Sequence, residues 1–84
     1  MHVELLGLPR ERAGVSSVEL QAETLGELMS SLAARFPTFR ELIAQDGFRP
    51  SIVANLNGDR FVTDPLTPLN DHDHILILSA DAGG

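Results

Sequence analysis

The stretch Asn70-Asp71-His72-Asp73-His74-Ile75-Leu76-Ile77-Leu78-Ser79-Ala80-Asp81-Ala82-Gly83-Gly84 decides the architecture. Its first four residues are turn formers. From Ile75 to Leu78 every position is apolar, although successive residues of a strand point to opposite faces. A strand that is apolar on both faces belongs in the middle of a sheet, covered on one side and adhesive on the other. It runs almost to the last residue, so residues 80–84 are expected to form a short flexible tail. Fully extended, those five residues reach about 17 Å. Two terminal glycines have no Cβ, so they suit a narrow channel and leave the Gly84 carboxylate unhindered. The chain divides into a body, residues 1–79, and a presented tail, with Asp81, Ala82, Gly83 and Gly84 at its end.

Reading back from that strand, Asp64-Pro65-Leu66-Thr67-Pro68-Leu69 cannot be a central strand, because two prolines remove ladder donors. Arg60-Phe61-Val62 and Ile52-Val53-Ala54-Asn55-Leu56 read as a hairpin around Asn57-Gly58, the pair that a type I′ turn requires. Phe39 to Gln45 reads as a short second helix. Thr24-Leu25-Gly26-Glu27 fits a capping box and opens the main helix. Leu25, Leu28, Met29, Leu32 and Phe36 follow helical spacing and make one core stripe. Pro37 ends that helix. Val15 to Ala22 alternates as a half-buried strand, Gly7 to Gly14 reads as a loop, and Val3 to Leu6 is the first strand. A hairpin, a crossing helix and a last strand inserted beside the first, and parallel to it, describe an α+β, β-grasp fold. The expected sheet is mixed, of four to five strands, with one main helix on one face and a short second helix.

With 84 residues, 43% of them hydrophobic, the chain builds one domain with a modest core. No window approaches a membrane span, and no leader pattern opens the sequence, so a cytoplasmic location without membrane contact is expected. Cysteine is absent, which excludes disulfides, thiolate metal sites and a cysteine nucleophile. A net charge of −6 opposes nucleic-acid binding and favours basic protein partners. Lysine is absent too, so another copy's C-terminus has no side-chain amine to attack here.

No catalytic set emerges. Six serines offer hydroxyls, but none of the three histidines lies near one in sequence. Asp71-His72-Asp73-His74, with His2 at the same end of a parallel strand pair, raises the question of a metal. Adjacent residues point in different directions, which is poor ligand spacing, so a solvated turn without metal is the assignment. The helix stripe should cover one alternation of the last strand and leave the other as an apolar docking patch. The run itself does not choose between Ile75/Ile77 and Leu76/Leu78. The partner-binding residues are assigned as Ile75 and Ile77, extended by Leu56 and Phe61.

The order of elements and the Gly-Gly end resemble the ubiquitin-like β-grasp sulfur carriers, of the molybdopterin-synthase small-subunit and thiamine sulfur-carrier type. The resemblance covers nearly the whole chain. It rests on Leu6 to Gly14 followed by a strand, on Thr24-Leu25-Gly26-Glu27-Leu28 leading to Ala34-Arg35-Phe36-Pro37, and on Val53-Ala54-Asn55-Leu56-Asn57-Gly58. Its strongest parts are Pro68-Leu69-Asn70-Asp71, the apolar strand and Gly83-Gly84. It implies a carrier with no catalytic residues and no bound cofactor. A ubiquitin-activating-type adenylyltransferase would use ATP to adenylate Gly84, and a persulfide donor would convert it to a thiocarboxylate. The sulfur would pass to the larger subunit of molybdopterin synthase, or to another sulfur-acceptor enzyme for thiamine, cysteine or tRNA thiolation. A β-grasp interaction module with an unmodified tail is the competing reading. Family members usually carry Asp-Gly-Asp before the last strand. Here Asp71-His72-Asp73 places histidine where positive φ is often needed, which implies local strain.

Overall fold

The computed structural model describes residues 1–44 and 47–80. The chain begins with β1 (His2–Leu6), a short α1 (Leu8–Ala13) and β2 (Ser17–Glu19). The main helix α2 (Leu25–Arg35) follows, then a 3₁₀ segment (Pro37–Leu42) and a two-residue ladder of β3 (Ile43–Ala44) with β4 (Gly47–Phe48). The hairpin β5 (Ile52–Leu56) and β6 (Arg60–Val62) precedes the last strand, β7 (His74–Ser79). The main sheet has the order β2-β1-β7-β5-β6. β7 is therefore central, parallel to β1 and antiparallel to β5. This is the β-grasp arrangement, a mixed five-stranded sheet with α2 across one face.

Local chemistry explains the elements. Thr24 is the N-cap of α2, and its Oγ1 accepts from the Glu27 N–H at 3.2 Å. Leu25, Leu28 and Leu32 are fully buried under the helix, and each such burial contributes about 1.5–3 kcal/mol relative to exposure. The β5–β6 turn uses Asn57 at φ 58° and Gly58 at φ 67°, the two positive-φ positions of a type I′ turn. Asp73 links this turn to the one before β7. Its Oδ1 accepts from Asn57 Nδ2 at 3.0 Å and its Oδ2 from the Asn70 N–H at 2.8 Å. Those bonds, Asn57 first and Asn70 second, hold the Asp73 carboxyl below its ordinary pKa.

Four local expectations are corrected. Gly7 to Gly14 is not an open loop, since residues 8–13 wind into α1. Pro9 sits in its first turn, and Gly14, at φ 78°, caps its end by donating to the Arg10 carbonyl at 2.9 Å. The same Pro and Gly that suggest a loop serve here as a start and a stop. β2 is shorter than the alternation over residues 15–22, because Gly14 and Val15 still belong to the turn out of α1. The second helix is 3₁₀ rather than α, and Ile43–Ala44 leaves it as a strand; Gln45 and Asp46 lie outside the described residues. It nonetheless buries Phe39 completely, and a neighbouring Phe48 ring meets Phe39 edge-on at 6.5 Å. His72 carries no left-handed strain, since Asn57 is the one non-glycine with positive φ among the described residues.

Candidate functional site

The site question concerns the two faces of the central strand and the point where the chain leaves it. Register settles the faces, because paired residues share a side of the sheet. Ile75 pairs with Val3 on one side and Leu56 on the other, and Ile77 with Leu5 and Ala54. All six are buried, with Ile75 and Ile77 at 0% exposure. This face lies under α2. The assignment of Ile75, Ile77 and Leu56 to a docking patch is therefore corrected: they are core. The signal was present in β1 and β5. Glu4 and Asn55 are polar at the alternate positions, so Val3, Leu5, Ala54 and Leu56 had to point inward, and Ile75 and Ile77 pair with them.

The open face carries the other alternation. Leu76 pairs with Glu4 and Asn55, and Leu78 with Leu6 and Val53. Phe61, paired with Asn55 across the β5–β6 hairpin, lies on this face and is 66% exposed. The face is graded along the strands. At the start of β7 it is polar, with His2, Glu4, His74 and Glu19; at the end of β7 it is apolar, with Leu6, Val53 and Leu78. Leu6 is 42% exposed. Leu78, between Leu6 and Val53, is nearly covered by them at 8%.

The apolar end is also where the chain departs. The Leu8 N–H donates to Ser79 Oγ at 2.8 Å, and the Ala80 N–H donates to the Ser51 carbonyl at 2.8 Å. Hydrogen bonds hold the chain as far as Ala80, which is itself exposed. The tail residues singled out from sequence, Asp81, Ala82, Gly83 and Gly84, lie outside the described residues. Among the described residues, no helix is long and apolar enough to cross a membrane.

The tetrapeptide Asp71-His72-Asp73-His74 does not form one cluster. Asp73 turns to Asn57 and Asn70, and His72 is exposed. His74 instead meets His2 across the parallel pair, with ring centroids 4.9 Å apart, and both face Glu4.

A mixed sheet with a central final strand and a crossing helix defines a ubiquitin-like β-grasp protein. Three solved structures share the fold across most of both chains. The small archaeal modifier protein 1 of Methanosarcina acetivorans is 27% identical, with TM-score 0.79 over 99% of this chain and 94% of its own. A chain of the Amycolatopsis orientalis BexX/CysO complex is 25% identical, with TM-score 0.82 over 99% and 98%. A putative molybdopterin converting factor subunit 1 from Pyrococcus furiosus matches at 22% identity and TM-score 0.78 over 93% of each, which speaks for the fold alone. No curated protein matches the sequence. The model of the ThiS family matches residues 3–84, and the chain belongs to that family of ubiquitin-like sulfur carriers.

Proposed function

We propose that this chain carries sulfur on Gly84 for a partner enzyme, in the synthesis of molybdopterin. The observation that carries the reading is the span of the family match, which runs through residue 84 and so includes the Gly83-Gly84 end. The chemistry requires nothing else from this chain. A C-terminal carboxylate, with an ordinary pKa of about 3.3–3.7, is ionised at neutral pH and is a poor electrophile. A partner adenylyltransferase joins it to the α-phosphorus of ATP and releases pyrophosphate. A persulfide then attacks the acyl carbon and expels AMP, giving an acyl disulfide. A thiol cleaves its S–S bond, leaving the thiocarboxylate on Gly84 and a disulfide on the donor. What this chain supplies is delivery of the sulfur atom to the partner's site, and orientation there is itself a large share of rate acceleration. Arg35-Phe36-Pro37 and the chain length support the pterin branch. The BexX/CysO neighbour favours a second reading, delivery to a different acceptor enzyme.

Docking on the partner belongs to the open face beside the tail, with Leu6 and Phe61 as its exposed apolar side chains. The decisive experiment is intact mass after incubation with ATP, an activating enzyme and a sulfur donor. A gain of about 16 Da, one oxygen replaced by sulfur, is expected at the C-terminus. Deletion of Gly83-Gly84 abolishes it. An unchanged mass, under conditions that convert an established carrier, overturns the reading in favour of an unmodified interaction module. Transfer of that sulfur to a pterin precursor by a molybdopterin synthase large subunit tests the branch.

A further inference from the structure

The polar end of the open face holds a constellation that sulfur carriage does not use. His2 and His74 are register partners on adjacent parallel strands, and Glu4 lies two residues along β1 on the same face. Glu4 Oε1 is 3.0 Å from His74 Nε2 and 3.6 Å from His2 Nε2. The three ligand atoms all lie within 4.8 Å of one another. Zinc bonds of about 2.0–2.1 Å to nitrogen and oxygen, at tetrahedral angles, set donor atoms roughly 3.3 Å apart. The two nitrogen–oxygen distances bracket that value. All three side chains are open to solvent, at 40–47% exposure, so an ion has a path in.

Hydrogen bonding prepares the site. His2 Nδ1 is 2.7 Å from Glu19 Oε1 on β2. That contact fixes the orientation of the ring and turns Nε2 toward Glu4. A carboxylate that holds the far nitrogen of a histidine, fixing its tautomer, is also the usual outer support of a metal ligand. With a net charge of −6, the chain adds a favourable field.

We propose that His2 Nε2, His74 Nε2 and Glu4 Oε1 form a binding site for a divalent ion of the zinc, cobalt and nickel class, with Glu19 as positioning residue for His2. Imidazole and carboxylate suit those ions. Three protein ligands leave a further position for water. The ion crosslinks the starts of β1 and β7. It lies five residues along β7 from Ser79, about 16 Å at the rise of a strand, so it does not reach the tail exit and stands apart from the sulfur reading.

The test is calorimetric titration of the chelator-treated full chain with Zn²⁺ alone, together with histidine ring proton spectra. One Zn²⁺ per chain is expected, with the His2 and His74 ring signals shifting and those of His72 unmoved. Glu4→Gln and His74→Ala each lower the affinity at least tenfold, Glu19→Gln lowers it about tenfold, and His72→Ala leaves it unchanged. Apo variants should keep the wild-type far-ultraviolet spectrum; should His74→Ala not fold, the near-isosteric Glu4→Gln and the ring spectra carry the test. Absence of uptake by the wild-type chain overturns the proposal. So does uptake that survives Glu4→Gln undiminished, or that shifts the His72 ring instead of His2 and His74.

Discussion

Alternate residues of β7 live in different chemical worlds. Ile75 and Ile77 are wholly enclosed between the sheet and α2, while Leu76 and Leu78 point to the opposite face, where Leu76 is half-buried and Leu78 is covered at 8% exposure. The four side chains are nearly equal in hydrophobicity, so nothing intrinsic to them creates the difference. Their neighbours do. Val3, Leu5, Ala54 and Leu56 extend the Ile75/Ile77 side into a core, whereas Glu4 and Asn55 flank Leu76 with polar groups. An apolar strand in a polar setting is held ready for use; the same strand in an apolar setting only stabilises. One segment thus builds the core on one side and, on the proposed reading, offers a docking face on the other.

The largest effect should come from placing a charge on the enclosed side. In Ile77→Asp an unpaired carboxylate enters a site with no polar partner, at a cost of several kcal/mol. A small domain has only about 5–15 kcal/mol of stability in total. The expected outcome is a chain without native amide dispersion or a cooperative melt at 25 °C. A folded Ile77→Asp protein would break the distinction between the faces. A smaller loss, about 1 kcal/mol by denaturant titration, is expected for Thr24→Ala, which removes the acceptor for the Glu27 N–H. That variant weakens the lid over Ile75 and Ile77 without touching either face.

The polar turn that leads into β7 should contribute less still, and only above a certain pH. Asp73 has its folded pKa lowered, by the Asn57 side chain first and the Asn70 N–H second. Its contribution is therefore fully present above the unfolded carboxylate value and is lost as pH falls through the lower folded value. The window opens near pH 4 and extends downward. Because the group is largely exposed, solvent screens the effect to under about 1 kcal/mol. Melts of Asp73→Asn and wild type should differ above the ordinary carboxylate range and converge as pH falls through the lowered folded value. A difference that instead grows toward low pH would reverse the sign and refute the account.

How much of this was legible depended on whether a residue's meaning is local. Thr24 with Glu27, Asn57-Gly58 and the prolines at 65 and 68 act within a few residues, and their elements fall where the sequence places them. Pro9 and Gly14 were ambiguous, because the same residues punctuate loops and bound short helices; the helix also meets residues far along the chain, with Arg12 ion-paired with Glu41 and its carbonyl accepting from Thr38. The phase of Ile75–Leu78 was invisible within its own apolar run and could be read only through its pairing with β1. Glu4 was missed as a site residue for the same reason. It gains chemistry from His74, 70 positions away in sequence and adjacent in the sheet.

The finest test of the comparison is a change that should leave stability almost untouched. Phe61 projects from the edge strand β6 onto the open face and is mostly in water already. Replacing it with Asp breaks no buried contact of the core and adds to a charge that is already negative. The melt should move by no more than about 0.5 kcal/mol, as for other surface substitutions. Binding to a sulfur-acceptor partner should nonetheless fall tenfold or more, since exposed aromatic side chains carry a disproportionate share of interface energy. Leu6→Asp, near the end of β7, should weaken binding alike, at a larger cost in stability because Leu6 helps to cover Leu78. If Phe61→Asp binds a partner as wild type does while Leu6→Asp fails, the docking surface is confined to the apolar end beside the tail. If both bind normally, the open face is not where partners sit, and the contrast between the sides of β7 is one of folding alone.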